Sequence, residues 1–367
     1  MNKILVTVVI SMVSYFSFGQ LTTMPSGGNK KAIVAEQVGL TDITIHYNRP
    51  AVKGRTGQVW GQLVPYGFTD PGFGTSKAAP WRAGANENTT IEFSTDVTIG
   101  DKNLPAGKYG FFIATGKDES TAIFSKNNSA WGSYFYDEAE DVLRVPVRQV
   151  VLDKPVEFLQ FVFLDQGKGD ATIALQWENL SFPFKVETDL NKEQVAIFQK
   201  ELQTTKCFDW QAWAQAANWA AENNTNLEEG LKWADYAISG PFIGQKNFRT
   251  LSAKSNVLKK MNKNEEAAEA MQEAVALGTV SEVHGYARQL LSDKKTKEAS
   301  NLFKANYKNF PNQFTTNVGM ARALSSEGKY KDALKYANAA LTQATDTLNK
   351  NSLNDMIVKL KAGQDVN

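Results

Sequence analysis

The chain has 367 residues, 42% hydrophobic and 22% charged, which is enough for two ordinary domains with cores of their own and too apolar for wholesale disorder. Forty Lys and Arg against 39 Asp and Glu leave a net charge of +1, which argues against a chain-wide attraction to nucleic acid or anionic lipid. One cysteine, Cys207, and two histidines, His46 and His284, exclude an internal disulfide framework and cysteine- or histidine-rich metal chemistry within one chain, so no metal or cofactor is expected.

Residues 1–19 open with Met1-Asn2-Lys3, continue through an apolar run from Ile4 to Ile10, and reach Ser17-Phe18-Gly19 before Gln20. One positive charge, a short apolar core and small residues at the cut describe a secretory signal peptide. The apolar core falls short of the about 20 residues that span a bilayer. No cysteine follows the cut to carry a lipid, and no later segment is apolar enough to span. The expectation is an exported chain, periplasmic or extracellular, with no transmembrane segment after cleavage.

Residues 20–187 are rich in Gly, Pro, Thr and aromatics. Segments 41–47, 90–93, 108–113, 121–124, 156–163 and 171–177 alternate apolar and polar residues, as half-buried strands do. Turn chemistry separates them at 99–103, 104–107 and 166–170, the last between two strong strands and therefore a hairpin. Eight to ten short strands without a convincing helix predict an antiparallel β-sandwich or jelly-roll-like domain.

Near residue 188 the texture becomes rich in Ala, Lys and Glu, and residues 188–367 read as helices. Leu190, Val195, Phe198 and Leu202 share one side of a connecting helix. Beyond it, Gly230, Ala267, Ala299 and Ala333 recur at spacings of 37, 32 and 34 residues, each preceded by Glu or Asp. The preceding helices supply Ala217, Ser255, Ala287 and Ala321 as close-packing partners. This pattern resembles tetratricopeptide repeats, although Gly230 stands where the family has Ala. The resemblance implies helical hairpins that stack on one another and recruit a protein partner on an open face. Trp210, Trp213, Trp219 and Trp233 are expected to pack the first hairpin or to dock against the β region.

The chemistry of the β region concentrates in a few strings. Arg49-Pro50, Lys53-Gly54-Arg55, Trp81-Arg82-Ala83-Gly84-Ala85-Asn86-Glu87 and Leu104-Pro105-Ala106-Gly107-Lys108-Tyr109 follow one another in the order seen in the bacterial Domain of Unknown Function 2911 family, which residues 32–187 resemble. An excursion at 66–79, containing Pro71-Gly72-Phe73-Gly74, departs from that pattern. The resemblance brings no activity with it. Physically, Arg49, Lys53, Arg55 and Arg82 beside Trp81, Asn86 and Glu87 suit a small anionic or sugar-like ligand through guanidinium forks and aromatic stacking. The bland reading of the same residues is mutual pairing, Arg82 with Glu87 or either with Arg49 or Asp141, to fasten long loops to the sheet.

Enzyme signatures are sparse. Glu87 with Asp137, Glu138 or Asp141 can be listed as carboxylate pairs, but their spacing singles out none. His46 belongs to a strand, His284 begins a repeat helix as a surface or packing residue, and Cys207 has no local histidine. Gly27-Gly28-Asn29-Lys30 lacks phosphate-loop spacing, and the aromatic strands lack the basic excess of a nucleic-acid platform. The leading reading is an exported binding or scaffold protein, with a β region that takes a small molecule or glycan and repeats that recruit a protein. The rival is a cell-envelope hydrolase acting on carbohydrate or peptide through the polar loops.

Overall fold

The computed structural model describes residues 28–367; the expected signal peptide lies outside them. The chain divides after Leu190 into two compact units.

The first unit contains β1 (Lys30–Val38), β2 (Thr41–Arg49), β3 (Thr89–Phe93), β4 (Val97–Ile99), β5 (Lys102–Leu104), β6 (Gly107–Ala114), β7 (Glu119–Ser125), β8 (Asp141–Arg148), β9 (Val150–Gln166) and β10 (Asp170–Thr188). All pairings between these strands are antiparallel, in one sheet ordered β1-β2-β3-β6-β7-β8 and another ordered β5-β4-β10-β9. Alternation sets the faces: β2 buries Ile43, Ile45 and Tyr47 and turns Asp42 and His46 outward. Phe111 of the first sheet meets Phe161 and Phe184 of the second, with ring centroids 5.9 and 5.4 Å apart, so the two sheets share one apolar core. Each such ring contributes on the order of 2 kcal/mol by leaving water.

Turns and prolines fall where the ladder allows them. Gly100 and Asp101, both left-handed with φ of 56° and 61°, turn β4 into β5. At the 166–170 turn, the Gly167 amide donates to the Asp170 carbonyl at 2.8 Å, closing the β9–β10 hairpin. Strand β10 pairs with β9 through Ser181 and with β4 from Val186, and Pro183, which has no amide hydrogen, sits in the interval between partners. Pro146 and Pro155 lie on β8 and β9, both edge strands.

Two long loops leave the six-stranded sheet, residues 50–88 after β2 and 126–140 after β7. The first is fastened by bridges Ala51 to Phe158, Thr69 to Ala79 and Trp81 to Ile113. The Thr69–Ala79 bridge folds the 66–79 excursion back on itself, and the Ser76 amide donates to the Tyr134 carbonyl at 3.1 Å, tying it to the second loop.

The second unit is built from α1 (Leu190–Glu201), α2 (Trp210–Glu222), α3 (Leu227–Ser239), α4 (Phe248–Lys260), α5 (Asn264–Leu277), α6 (Val280–Ser292), α7 (Thr296–Asn309), α8 (Phe314–Ser326), α9 (Tyr330–Gln343) and α10 (Thr347–Lys361). They form tetratricopeptide-like hairpins α2/α3, α4/α5, α6/α7 and α8/α9, with α10 packed on the last. The small residues at the repeat positions, Ala217, Ala287, Ala321, Ala299 and Ala333, are fully buried, and the Ser255 hydroxyl donates across its hairpin to the Ala267 carbonyl at 2.7 Å. Gly230 replaces alanine for a steric reason: a Cβ placed there would lie 2.9 Å from the Ala220 Cβ. Three hairpin turns share one backbone device, a left-handed residue at Asn262, Lys294 and Gly328 with φ of 63°, 60° and 74°, each followed by a lysine at the N-cap of the next helix. Trp219 and Trp233 close edge-on upon Phe198 of α1, and Trp213 packs at a tilt against Tyr236, so these tryptophans pack the first hairpin.

Candidate functional site

In the β region, a cleft of about 480 Å³ opens between the two long loops. Its lining includes four of the seven residues singled out in the sequence: Arg55, Trp81, Arg82 and Asn86. The loop conformation that presents them is strained, since Ala83 and Asn86 are left-handed with φ of 48° and 61°. Gly84 is needed between them, because a Cβ there would fall 2.7 Å from the Thr89 hydroxyl.

Arg82 donates from Nη1 to the Asn86 carbonyl at 2.7 Å and lies over the Tyr134 ring, 5.0 Å from its centroid. Arg55 is held by the Val52 and Ala51 carbonyls at 2.8 and 2.6 Å. Trp81 stacks on Trp177 with centroids 6.0 Å apart, and Trp60 meets both edge-on. Around this aromatic floor, the indole nitrogens of Trp60 and Trp177 and the hydroxyl of Ser133 are buried without a hydrogen-bond partner. Trp177 and Ser133 line the cleft while being 1% and 5% exposed. Such orphaned polar atoms are rare in a folded protein and mark a place where a partner can be supplied.

The other three residues lie elsewhere. Arg49 donates to the Leu159 carbonyl at 2.8 Å and covers Phe158, which fastens β2 to β9. Lys53 is an exposed left-handed turn residue whose amide donates to the Glu157 carboxylate at 2.9 Å. Glu87 accepts from Asn48 and pairs with Lys31, both at 2.7 Å. Hydrogen bonding from Lys31, aided by Asn48 and opposed by partial burial, holds the Glu87 carboxyl below its ordinary range.

The expected Arg82–Glu87 pairing is therefore replaced by separate partners: the Asn86 carbonyl for Arg82, and Lys31 and Asn48 for Glu87. Asp141 likewise joins neither: its carboxylate accepts from Tyr136 at 2.5 Å and from Arg144 at 2.7 Å, with Arg144 Nη2 also donating to the Tyr136 hydroxyl at 2.8 Å. Burial raises the Asp141 pKa against the pull of Tyr136 and Arg144. Among the described residues lining the cleft, Asp70 is the one carboxylate, and it accepts from the Gly72 amide and pairs with Lys77.

In the helical unit, a groove of about 840 Å³ runs along the first helices of successive hairpins, α2, α4 and α6. Phe248, Met271, Tyr286 and Leu290 give it apolar ground, with Lys259 and Glu282 among its charges. Gly285 borders the groove, and a Cβ added there would meet no atom within 4 Å. A second pocket, about 310 Å³, lies between α6, α8 and α10 and collects His284, Arg288 and Arg322. Composition hid this second pocket. Arg288 and Arg322 each directly follow a buried repeat alanine and stand 34 residues apart, a period that places both on one face. Among the described residues, no group of three His, Cys, Asp or Glu side chains could hold a metal, and no helix is long and apolar enough to cross a membrane.

Residues 29–186 match the family described as "Protein of unknown function (DUF2911)". No curated protein matches the chain. Among solved structures, the helical part is similar to YrrB, described as a TPR protein with an unusual peptide-binding site, at 18% identity over 45% of this chain and 84% of that one, with a TM-score of 0.28. PilF of Pseudomonas aeruginosa is 18% identical over 47% of this chain and 82% of its own, with a TM-score of 0.30. A tetratricopeptide repeat protein from Parabacteroides merdae is 13% identical over 47% and 69%, also at 0.30.

Proposed function

We propose that this chain, whose β region belongs to the DUF2911 family and whose remainder is a tetratricopeptide-like array, is an exported binding protein that recruits a polypeptide along its helices. The observation that carries this reading is the groove across α2, α4 and α6, which combines apolar ground with charges of both signs along the first helices of three successive hairpins. Gly285→Trp tests it, because Gly285 lines the groove and a Cβ there meets no atom within 4 Å. Peptides selected from a displayed library by the native protein should lose binding to the Trp variant while helical content and melting temperature stay unchanged. Equal binding by both proteins would overturn the groove as the site. Export rests on the signal-like residues 1–19 and is checked by fractionation of a variant carrying Leu5→Arg in the apolar core.

The β cleft supports a second, concurrent role. Its two guanidinium groups, its stacked indoles and its unpartnered buried donors favour a small ligand that combines negative charge with a flat, hydroxyl-rich face, such as a uronic acid or sugar phosphate. Binding is favoured over hydrolysis because, among the described residues, the lining offers Asp70 alone, already engaged, rather than a pair of carboxylates. A thermal-shift screen of uronic acids and sugar phosphates should give a response that Arg82→Gln abolishes and Arg49→Gln preserves. A response lost equally in both variants would point to general destabilisation instead.

A further inference from the structure

The pocket between α6, α8 and α10 has the makings of an anion site that neither role above uses. Arg288 and Arg322 occupy the same position in successive repeats. In the two preceding repeats that position is held by Asn218 and Asn256, whose side chains hydrogen-bond to each other at 3.0 Å. Equivalent residues of neighbouring helices thus come within reach of one another, and here the repeat sets two cations side by side. Among the described residues, neither arginine makes an ion pair, and the Nε of Arg322 is buried without a partner. The Arg322 Nη1 donates only to the Asn367 side chain, at 3.3 Å.

The surroundings reinforce the positive character. Ser281, Phe314, Thr315 and Asn349 place the pocket beside the first turns of three helices, the ends at which backbone dipoles favour negative charge. Among the described residues, no carboxylate lines it. The nearby acids are occupied: Glu282 caps α6 through Thr279, Asp346 caps α10 through Asn349, and Asp365 accepts from Ser325 at 2.6 Å. Phe314, Val318, Leu353 and Met356 supply apolar walls.

We propose that this pocket binds a small organic carboxylate, the anion between Arg288 and Arg322 and a short aliphatic body against the apolar walls. His284 supplies an internal reporter. It lies against Phe303 of α7, shares the pocket with Thr315 of α8, and faces Arg288 on its own helix and Arg322 on the next. Burial, then Arg322 and Arg288, pushes its pKa down to about 4, and the Thr315 backbone only partly opposes this. Burial and Arg288 also disfavour the Arg322 cation, which Asp365 partly supports. A bound carboxylate would relieve that repulsion and raise the His284 pKa.

The test uses the full chain with butanoate as probe, and acetate, inorganic phosphate and butylammonium alongside. His46→Gln, on the outer face of β2, leaves His284 as the one imidazole signal. Butanoate should bind at least tenfold more tightly than acetate or butylammonium and should move the His284 titration upward. Arg288→Gln, at an exposed position, should weaken binding tenfold or more with no loss of folding, and Arg322→Gln should do the same. The proposal is overturned if butanoate leaves the His284 titration unmoved, if Arg288→Gln binds it as well as the native protein, or if phosphate binds and butanoate does not.

Discussion

Gly132 lies directly against the guanidinium group of Arg82: a Cβ placed on this glycine would sit 2.2 Å from the Arg82 Cζ. The glycine is also left-handed, with φ of 62°. Gly132→Ala is therefore expected to cost about 1–2 kcal/mol in backbone strain and to push Arg82 off the Tyr134 ring. In denaturant titrations the loss should appear as a lower midpoint at unchanged slope. In ligand-binding assays of the cleft, Gly132→Ala and Arg82→Ala should be non-additive, because both remove the same guanidinium placement.

Glu327 gathers Ser300, Lys304 and Lys329 at the turn between α8 and α9, accepting from Ser300 at 2.6 Å and Lys329 at 2.9 Å. Hydrogen bonds from Lys304, Ser300 and Lys329 lower its pKa to about 2. A depressed carboxyl pKa contributes stability that is fully present above the unfolded value, about 4.3, and is lost as the pH falls toward about 2. Glu327→Gln should cost about 1 kcal/mol at pH 7, as a well-connected surface network does. Urea melts of both proteins should show this gap narrowing between pH 4.3 and pH 2, and a gap that widens in acid would refute the assignment.

The Gly230–Ala220 approach sets two effects against each other. Gly230→Ala gains about 1 kcal/mol of helix propensity and loses about 1–3 kcal/mol to overpacking between two rigid helices. Destabilisation should win, and Ala220→Gly should restore much of the loss in the double variant. Calorimetry of the four proteins measures the coupling.

Lys294 holds the left-handed turn position that Gly328 fills in the next hairpin. It is exposed and makes no ion pair among those described, so its side chain contributes only the cost of its backbone conformation. Lys294→Gly should raise stability by up to about 1 kcal/mol. Gly328→Lys should lower it by a similar amount, both read from melting midpoints.

Much of the fold was legible in the chain because its signals are local. Alternation exposed the six strand segments, and the spacing of Gly230, Ala267, Ala299 and Ala333 exposed the hairpins. The lengths of β9 and β10 were not legible, since bulges carry both strands past the apparent stop at Trp177-Glu178-Asn179. There Glu178 turns left-handed, and its buried carboxylate accepts from the Gly57 amide at 2.7 Å. The cleft was half legible. Arg55, Trp81, Arg82 and Asn86 cluster along the sequence, whereas Trp177 and Ser133 arrive from a core strand and a second loop, and nothing local announces them. Glu87 misled because its partner, Lys31, belongs to an edge strand far earlier in the chain.

The placement of prolines and lysines at the sheet margins bears on how copies of this protein can meet. Strands β8 and β9 carry Pro146 and Pro155, β1 begins with Lys30 and Lys31, and β5 is three residues long and begins with Lys102. A proline offers no amide to a visiting strand, and a short or charged margin gives it little to grip. Open-ended stacking of β units is thereby discouraged at all four margins, leaving crowded solutions of this protein to associate through side chains rather than shared backbone.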